Sequence, residues 1–211
     1  MSENNANLSE RSIKRGLSKT LLNDIDSIFI EDSTESTNDN AKEHLKTQKN
    51  LFSVHLAEQQ ISGRGRNNKK WVSPHGKNIY ISLGWKSKLL HSQLEGLSLA
   101  VATSLISSLK EFTSSDLKIK WPNDLLVKNR KLCGILQEVI EYKNRKFLII
   151  GIGINTKVSP KVANLRTISL LSCSNHIIKN NEILIKIKLA YEKIISGLRK
   201  GKISYLKRRA Y

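Results

Sequence analysis

Hydrophobic and polar residues alternate over several short stretches of the chain. The clearest alternation places Ile79, Ile81, Leu83 and Trp85 on one side of residues 78–85, as in a strand that is buried on one face. Other short runs rich in apolar and β-branched residues predict strands at 28–30, 52–57, 117–121, 124–127, 132–141 and 147–155. Because short polar links at 128–130 and 143–145 join the final strands, we expect an antiparallel meander there.

Two longer stretches repeat with the period of a helix instead. Leu97 and Leu105 fall on the same face of a helix that we expect to begin at a capping box, residues 92–95, and to end near residue 112. The same spacing predicts a last helix over residues 181–198. Neither an internal repeat nor a Gly/Pro-rich linker divides the chain.

Length and composition limit the class of protein. At 211 residues with 39% hydrophobic side chains, the chain suits one domain of ordinary size. It contains no run of about 18 apolar residues, and its polar first residues, MSENNANLSERSIKRGLSK, lack the apolar segment of a secretory signal. Two cysteines without a CxxC motif favour neither a disulfide framework nor a zinc site. We therefore expect a cytoplasmic protein without a membrane partner.

The net charge of +18 is the strongest compositional signal. It indicates an anionic partner, such as nucleic acid, a nucleotide or an acidic protein. The alternative is a general preference for lysine, because the cations are spread along the whole chain rather than gathered in one stripe or tail. The charge alone therefore names no function.

The most basic segment is GRGRNNKKW, residues 63–71. Gly63 and Gly65 allow backbone conformations in which successive N–H groups point at one anion, and Arg64 and Arg66 offer guanidinium groups for phosphate or carboxylate. Trp71 would anchor the far end of the loop. By itself the segment is best interpreted as a solvated basic loop, and an RNA-binding Arg-Gly segment is the next alternative.

A second polar segment is KWPND, residues 120–124. Its simplest interpretation is a tight turn after a strand. Its functional interpretation is an amide, Asn123, and a carboxylate, Asp124, held at a strand end where they suit Mg²⁺ and a phosphorylated ligand. Lys131 lies seven residues after Asp124, across a predicted hairpin, so it either returns to that strand end or is an ordinary turn lysine.

Two further segments carry weaker signals. In GIGIN, residues 151–155, alternate glycines leave one face of a strand without side chains, so that a ligand or another backbone can approach closely. Close packing of strands without any ligand is the alternative. At 36–38, Thr37 or Asn38 would cap a short helix that runs to about Leu45. The same hydroxyl and amide groups also suit a small polar heterocycle.

The order and spacing of these segments are more specific than any one of them. STESTN at 33–38 is followed by AEQQISGRGR at 57–66, then by KWPNDL at 120–125 with KLCGIL at 131–136, and finally by GIGIN. This series resembles the catalytic domain of the biotin–protein ligases, from about residue 29 to residue 155 and more faintly through the last helix. The resemblance implies an α+β fold, with a mixed, largely antiparallel sheet flanked by helices as in class II aminoacyl-tRNA synthetases.

The resemblance also implies an activity. Members of the family activate biotin with ATP and Mg²⁺ to biotinyl-5′-AMP and pyrophosphate, and then transfer the biotinyl group to a lysine of a biotin carboxyl carrier protein. The matching catalytic positions are Lys131, Arg66 and Asp124, with Asp124 as the metal-associated residue. The biotin positions are Ser36, Thr37, Asn38, Gln60, Arg64, Gly65, Arg66, Trp71, Lys131 and Gly134, with Gly153 as a further close approach, and the ATP or adenylate positions are Arg64, Arg66, Asn123, Lys131 and Asn155.

Departures from the family pattern accompany the resemblance. Asn67, Asn68 and Lys69 stand where relatives usually have glycine and arginine, which should change the flexibility of the loop. We expect a leader at 1–20, the catalytic domain at 21–200 and a stub at 201–211 in place of an SH3-like domain. Without a DNA-binding domain, no specific DNA partner is expected, and the protein would be a monomer or homodimer. The alternatives are a lipoate or octanoate ligase of the same fold, an impaired biotin-binding remnant, and a basic RNA-binding module.

Overall fold

Seven strands form one mixed sheet in the order β1-β2-β3-β7-β6-β5-β4. The structure is a computed structural model that describes residue 25 and residues 27–47, 52–87, 94, 96–174 and 177–187. The strands are β1 (Ser27–Thr34), β2 (Phe52–Gln60), β3 (Ile79–Ser87), β4 (Leu117–Lys120), β5 (Asp124–Val127), β6 (Arg130–Tyr142) and β7 (Arg145–Ile154). The helices are α1 (Thr37–Thr47), α2 (Leu97–Leu109) and α3, whose described part is residues 180–187.

The strand directions follow from the connections. β1 and β2 are parallel, and α1 provides the crossover that a parallel pair needs, whereas every other neighbouring pair is antiparallel. The hairpin turns β5–β6 and β6–β7 carry positive φ angles at Lys128–Asn129 and Lys143–Asn144, as two-residue hairpin turns require. The predicted meander and the mixed, largely antiparallel sheet are confirmed.

A different helix packs against each face of the sheet. Leu148 and Ile150 of β7 belong to the larger core, which also contains the predicted apolar face of α2. Phe147 and Ile149 pack with the buried residues of α1. Because successive strand residues point to opposite faces, α1 and α2 cover opposite faces, and Gly151 continues the α1 face without a side chain.

Several element bounds differ from those that the pattern predicts. α2 starts at Leu97 after Gly96, which has a φ of 75°, and it ends at Leu109, so Phe112 lies in the following turn. β4 ends at Lys120, and Trp121 belongs to the turn before β5. The two residues of the predicted capping box, 92 and 95, lie outside the described residues, as do the leader, the stub and the last helix beyond residue 187.

The start of α1 is a further correction. Ser36 is the capping residue, and its Oγ accepts a hydrogen bond from the Asp39 N–H at 3.4 Å. Thr37 and Asn38 were the predicted caps, but they lie in the first turn of the helix, where their side chains turn inward and are buried. Among the described residues, no helix is both long and apolar enough to span a bilayer.

Candidate functional site

A cavity of about 740 Å³ opens on the α1 face of the sheet. Its wall brings together almost all the residues that the sequence singles out. The predicted residues that line it are Ser36, Thr37, Asn38, Gln60, Arg64, Gly65, Arg66, Trp71, Asn123, Asp124, Lys131, Gly134 and Gly153. The chain segments that carry them extend from Ser36 to Gly153, more than a hundred residues apart, so the fold and not local sequence assembles the site.

Neutral hydrogen-bonding groups form one end of the cavity. The Gln60 Oε1 accepts bonds from both the backbone N–H and the hydroxyl of Thr37, each at 3.0 Å. This satisfies one of the backbone donors that the first turn of a helix leaves without an intrahelical partner. The Gln60 Nε2 donates to the Ser73 Oγ at 3.4 Å. Gln60 therefore joins the end of β2 to the start of α1.

Asn38 completes this end through residues that the sequence does not single out. Its Nδ2 donates to the Glu138 Oε2 at 2.6 Å, and its Oδ1 accepts a bond from the Ser82 hydroxyl. A Cβ on Gly151 would clash with the Asn38 amide. The glycine therefore provides the space that this side chain occupies, so the close neighbour at Gly151 is a side chain and not the ligand or backbone that the glycine pattern predicts.

Trp71 forms the floor of the cavity against two more glycines. Gly134 of β6 and Gly153 of β7 lie directly opposite each other across the two strands. A Cβ on Gly134 would lie 2.8 Å from the indole ring, and one on Gly153 would clash with it outright. One indole thus covers both bare positions, and the expected anchoring of the basic loop by Trp71 is seen.

Lys131 does return to the strand end. Its Nζ lies 2.8 Å from the Asp124 Oδ1 and 5.3 Å from the centroid of the Trp71 ring. The side chains of Lys131 and Asp124 are only 16% and 17% exposed. The register shifts between Leu125 and Leu126, which leaves Leu132 as an extra residue on β6. Because side chains alternate along a strand, this bulge puts Lys131 on the same face as Asp124. A cation and a carboxylate therefore face the cavity together.

The two predicted asparagines lie in different places. Asn123 lines the cavity, and its Nδ2 donates to the Ile135 carbonyl at 2.7 Å. Asn155 does not line the cavity, because it is 2% exposed and its Nδ2 donates to the Lys131 carbonyl at 3.2 Å. The structure thus places Asn155 behind the wall, where it supports the backbone of Lys131.

The basic loop differs from its expected conformation. The left-handed positions are Asn67 and Asn68, with φ angles of 54° and 55°, and neither Gly63 nor Gly65 has a positive φ. The Gly65 N–H donates to the Lys69 carbonyl at 2.7 Å, so it does not point at an anion. Gly63 is required for another reason, since a Cβ there would lie 2.7 Å from the Trp71 carbonyl oxygen. Asparagine tolerates the left-handed region better than most residues, which explains why this loop forms without the usual glycine.

The two arginines of the loop have different surroundings. Both terminal nitrogens of Arg64 donate to the carboxylate of Asp39, one of them at 2.6 Å. This guanidinium lowers the pKa of the Asp39 carboxyl. Arg66 is exposed and makes no ion pair with any of the residues that the structure describes. The resemblance assigns both arginines to biotin and the adenylate, and Arg66 alone to catalysis, but it does not predict that Arg64 pairs with Asp39.

Sequence reasoning also missed part of the cavity wall. Lys69, Lys70 and Lys120 add exposed cations at the same end as Arg66, and residues 162–165 form a further side. Lysines of the basic loop are visible in the sequence, but in a chain of net charge +18 they do not stand out. Residues 162–165 carry no motif, and only the fold brings them to the site.

The comparisons with known proteins agree with this geometry. Residues 30–155 match the biotin/lipoate A/B protein ligase family. The chain is 35% identical over 129 residues to the bifunctional ligase/repressor BirA of Escherichia coli, covering 59% of this chain and 40% of the relative. It is 33% identical over 122 residues to the biotin–[acetyl-CoA-carboxylase] ligase of Mycobacterium tuberculosis, covering 56% and 44%. The chain therefore spans less than half the length of these curated relatives.

Solved structures show the same fold. The biotin protein ligase of Aquifex aeolicus in complex with biotin and ATP superimposes with a TM-score of 0.71 at 24% identity, over 88% of this chain and 77% of that one. The biotin protein ligase of Leishmania major in complex with biotinyl-5-AMP gives 0.64 at 21%, over 82% and 80%. Since the family model covers more than half of the chain and the fold agrees, this chain belongs to the biotin/lipoate A/B protein ligase family.

Proposed function

We propose that the protein is a biotin–protein ligase, which activates biotin with ATP and transfers the biotinyl group to a lysine of a carrier protein. One observation carries the proposal. A single cavity joins a neutral hydrogen-bonding end to a cationic end across the indole floor of Trp71. Biotin has a matching sequence of parts, namely a polar ureido ring, an apolar chain and a carboxylate. The relatives in solved complexes bind biotin, ATP or biotinyl-5-AMP.

In the first step the biotin carboxylate attacks the α-phosphorus of ATP, and pyrophosphate leaves with the electron pair of the broken P–O bond. This step brings two anions together, so cations must hold both of them. We assign this task to Lys131, which lies beside Asp124 and the Trp71 indole, and to Arg66, an exposed cation of the same cavity. A basic loop that closes over the product would keep water from the mixed anhydride.

Magnesium fits this site as a partner of the nucleotide. Among the described residues, no cluster of three or more His, Cys, Asp or Glu side chains could hold a metal by itself. Mg²⁺ is commonly held by one or two carboxylates and by substrate phosphates, and Asp124 supplies one carboxylate at the cationic end. When bound there, Mg²⁺ would neutralise charge on the phosphates.

In the second step the amine of an acceptor lysine attacks the acyl carbon of the adenylate, and AMP leaves. The acceptor that we propose is the biotin carrier domain of a biotin-dependent carboxylase. Support comes from a relative whose name specifies acetyl-CoA carboxylase and from the open, cationic end of the cavity, which suits an acidic partner. The cytoplasmic location and the oligomeric state stay predictions.

Lipoate is the competing substrate within the same family. Its ring is an apolar dithiolane and can make no hydrogen bond with Gln60, Thr37 or Asn38. The ureido ring of biotin can use the donor and acceptor sites that these groups keep besides the bonds they make to each other. The neutral hydrogen-bonding end of the cavity therefore favours biotin over lipoate.

The decisive experiment incubates the protein with Mg-ATP and either biotin or lipoate, and follows pyrophosphate exchange. Exchange with biotin alone is expected, and exchange with lipoate alone would reassign the substrate. When an apo carrier domain is then added, the mass of that domain should rise by one biotinyl group.

The alternatives predict other outcomes. Biotin binding without exchange would identify an impaired remnant. Filter binding of RNA at 0.15 M salt, without biotin capture, would favour the nucleic-acid alternative.

A further inference from the structure

Five side chains join the two ends of the site through a line of hydrogen bonds and ion pairs, here called the ionic chain. It begins at Asn38, which donates to Glu138, and Glu138 pairs with the Lys42 Nζ at 2.7 Å. The Lys42 Nζ also lies 3.1 Å from the Asp39 carboxylate, which holds both terminal nitrogens of Arg64. The ionic chain thus links the neutral end of the cavity to the basic loop.

Three of its members lie outside the cavity wall. Glu138, Lys42 and Asp39 do not line the cavity, and their side chains are 26%, 17% and 38% exposed. Lys42 and Asp39 lie one turn apart on α1, and Glu138 lies on β6 beside that helix. We therefore expect these residues to contribute to binding through Asn38 and Arg64, which do line the cavity.

Glu138 determines which way the Asn38 amide faces. An ionised carboxylate only accepts hydrogen bonds, so the amide must turn its NH₂ group toward Glu138. Its carbonyl oxygen then faces Ser82, whose hydroxyl donates to it. A glutamine at position 138 would have almost the same shape, but it can donate as well as accept and would permit either orientation of the amide.

Asp39 has the corresponding effect on the loop. A carboxylate that accepts two parallel bonds from one guanidinium restrains both the position and the plane of that group. The pair therefore holds Arg64, and with it the adjoining residues of the loop, against the first turn of α1. Arg66, two residues further, is left as a cation for an anionic ligand.

We propose that Glu138 and Asp39 are positioning residues of this site. Glu138 sets the hydrogen-bond polarity with which Asn38 meets the ring of the ligand, and Asp39 keeps the basic loop in place through Arg64. Lys42 bridges the two carboxylates between which it lies, and with Arg64 it balances their charge. The first part rests on the proposed function, because it takes biotin as the ligand, whereas the second concerns the loop alone.

The first part is tested with Glu138→Gln, and Glu141→Gln is the matched control, because Glu141 lies on the same strand and is 71% exposed. Biotin affinity is measured by calorimetry, and KM for biotin and for ATP by pyrophosphate exchange. We expect biotin affinity to fall about tenfold, as for one misdirected hydrogen bond, while KM for ATP stays within about twofold. If Glu138 had only a structural role, Glu138→Gln would raise KM for biotin and KM for ATP together, or would lower the melting temperature without a selective effect on biotin.

The outcomes separate the two hypotheses. If the wild-type protein binds no biotin, the proposed function fails. If the wild type binds biotin and Glu138→Gln binds it as tightly as Glu141→Gln does, the role of Glu138 is refuted. Should Glu138→Gln fail to fold, Lys42→Met tests the same linkage from the other side. The Lys42→Met variant keeps Glu138 but removes the cation that pairs with it. An unchanged biotin affinity in Lys42→Met would also contradict the proposal.

The second part needs no ligand. Trypsin cleavage at Arg66, Lys69 or Lys70 reports how firmly the loop is held. Asp39→Asn should accelerate this cleavage about tenfold, whereas Glu43→Gln, a control on the same helix whose carboxylate pairs with Lys46, should not change it. Equal cleavage rates in the two variants would overturn the role of Asp39, whatever the substrate of the protein is.

Discussion

The two ends of the cavity are built on opposite principles. At the neutral end, Thr37, Asn38, Gln60 and Ser82 already bond to each other, and Asn38 is 4% exposed. At the cationic end, Arg66 and its neighbouring lysines are exposed. The first end is held together by hydrogen bonds among its own residues, whereas the second presents charge to solvent.

This difference indicates a division of labour. Hydrogen bonds between neutral groups discriminate well only when their geometry is held in advance, because an unmade bond in a buried site is costly. Charge acts over a longer range and can be completed by a moving loop. We therefore expect the neutral end to determine which acid is bound and the cationic end to determine how fast it reacts. The following variants test that separation.

The largest effect is expected for Lys131→Ala at the cationic end. The variant loses a charge-assisted contact in a partly desolvated site, which should cost roughly 2–4 kcal/mol of transition-state stabilisation. The rate of adenylation should fall accordingly. Biotin affinity should change much less. Lys128→Ala, in the exposed turn of the same hairpin, is the control. If Lys131→Ala exchanges pyrophosphate at the wild-type rate, Lys131 is not the cation that holds the reacting groups.

A smaller effect is expected for Gln60→Leu at the neutral end. The change removes the acceptor of two Thr37 bonds, and we expect biotin binding to weaken by about 1–3 kcal/mol. The rate of the chemical step at saturating biotin should stay near that of the wild type. Gln59→Leu, on the other face of the same strand, controls for a general effect on β2. If kcat falls with affinity unchanged, the division of labour is wrong.

Arg66→Gly should have a still smaller effect that depends on salt. Because Arg66 is exposed, its attraction for the adenylate is weak, and its loss should raise the release rate of the adenylate about fivefold or less. The adenylate should leave faster and label lysines nonspecifically, which mass spectrometry detects. This difference from the wild type should fade as the Debye length falls from about 30 Å at 0.01 M to about 8 Å at 0.15 M. A salt-independent effect would mean that Arg66 acts by shape rather than by charge.

The smallest change is expected from pH. The Arg64 guanidinium lowers the pKa of Asp39 below its ordinary value of 3.8. A carboxyl with a lowered pKa stabilises the folded state above its unfolded pKa, and this contribution is lost as the pH falls through the folded value. Trypsin cleavage of the loop, corrected for the activity of trypsin itself, should therefore stay constant from pH 8 to pH 5. An increase within that range would mean that another group controls the loop.

The sequence predicts the fold and the site unequally, for physical reasons. Alternation in β3 and the polar turns of the meander are local properties, so these strands and turns were found. The choice of the residue that caps α1 is less local. Ser36, Thr37 and Asn38 are all good capping residues, and only the contact of Thr37 with Gln60 decides among them.

The candidate site shows the same limit. The resemblance located Lys131 and Asp124, and their separation across a hairpin could be judged from the chain. Glu138 and Ser82 were not found, because each meets Asn38 through contacts that span many residues and neither belongs to a polar cluster in the sequence. The glycines were recognised as sites of close approach, but the side chains that fill them, Asn38 and Trp71, follow only from the packing.

The indole of Trp71, clamped over Gly134 and Gly153, also makes the protein an optical reporter of its own site. The chain has three tryptophans, of which Trp85 is buried in the core and Trp121 is 80% exposed. Replacing those two with phenylalanine would leave a single emitter at the floor of the cavity, beside the ammonium group of Lys131. Its emission would then follow ligand arrival and loop closure in real time, without any attached dye.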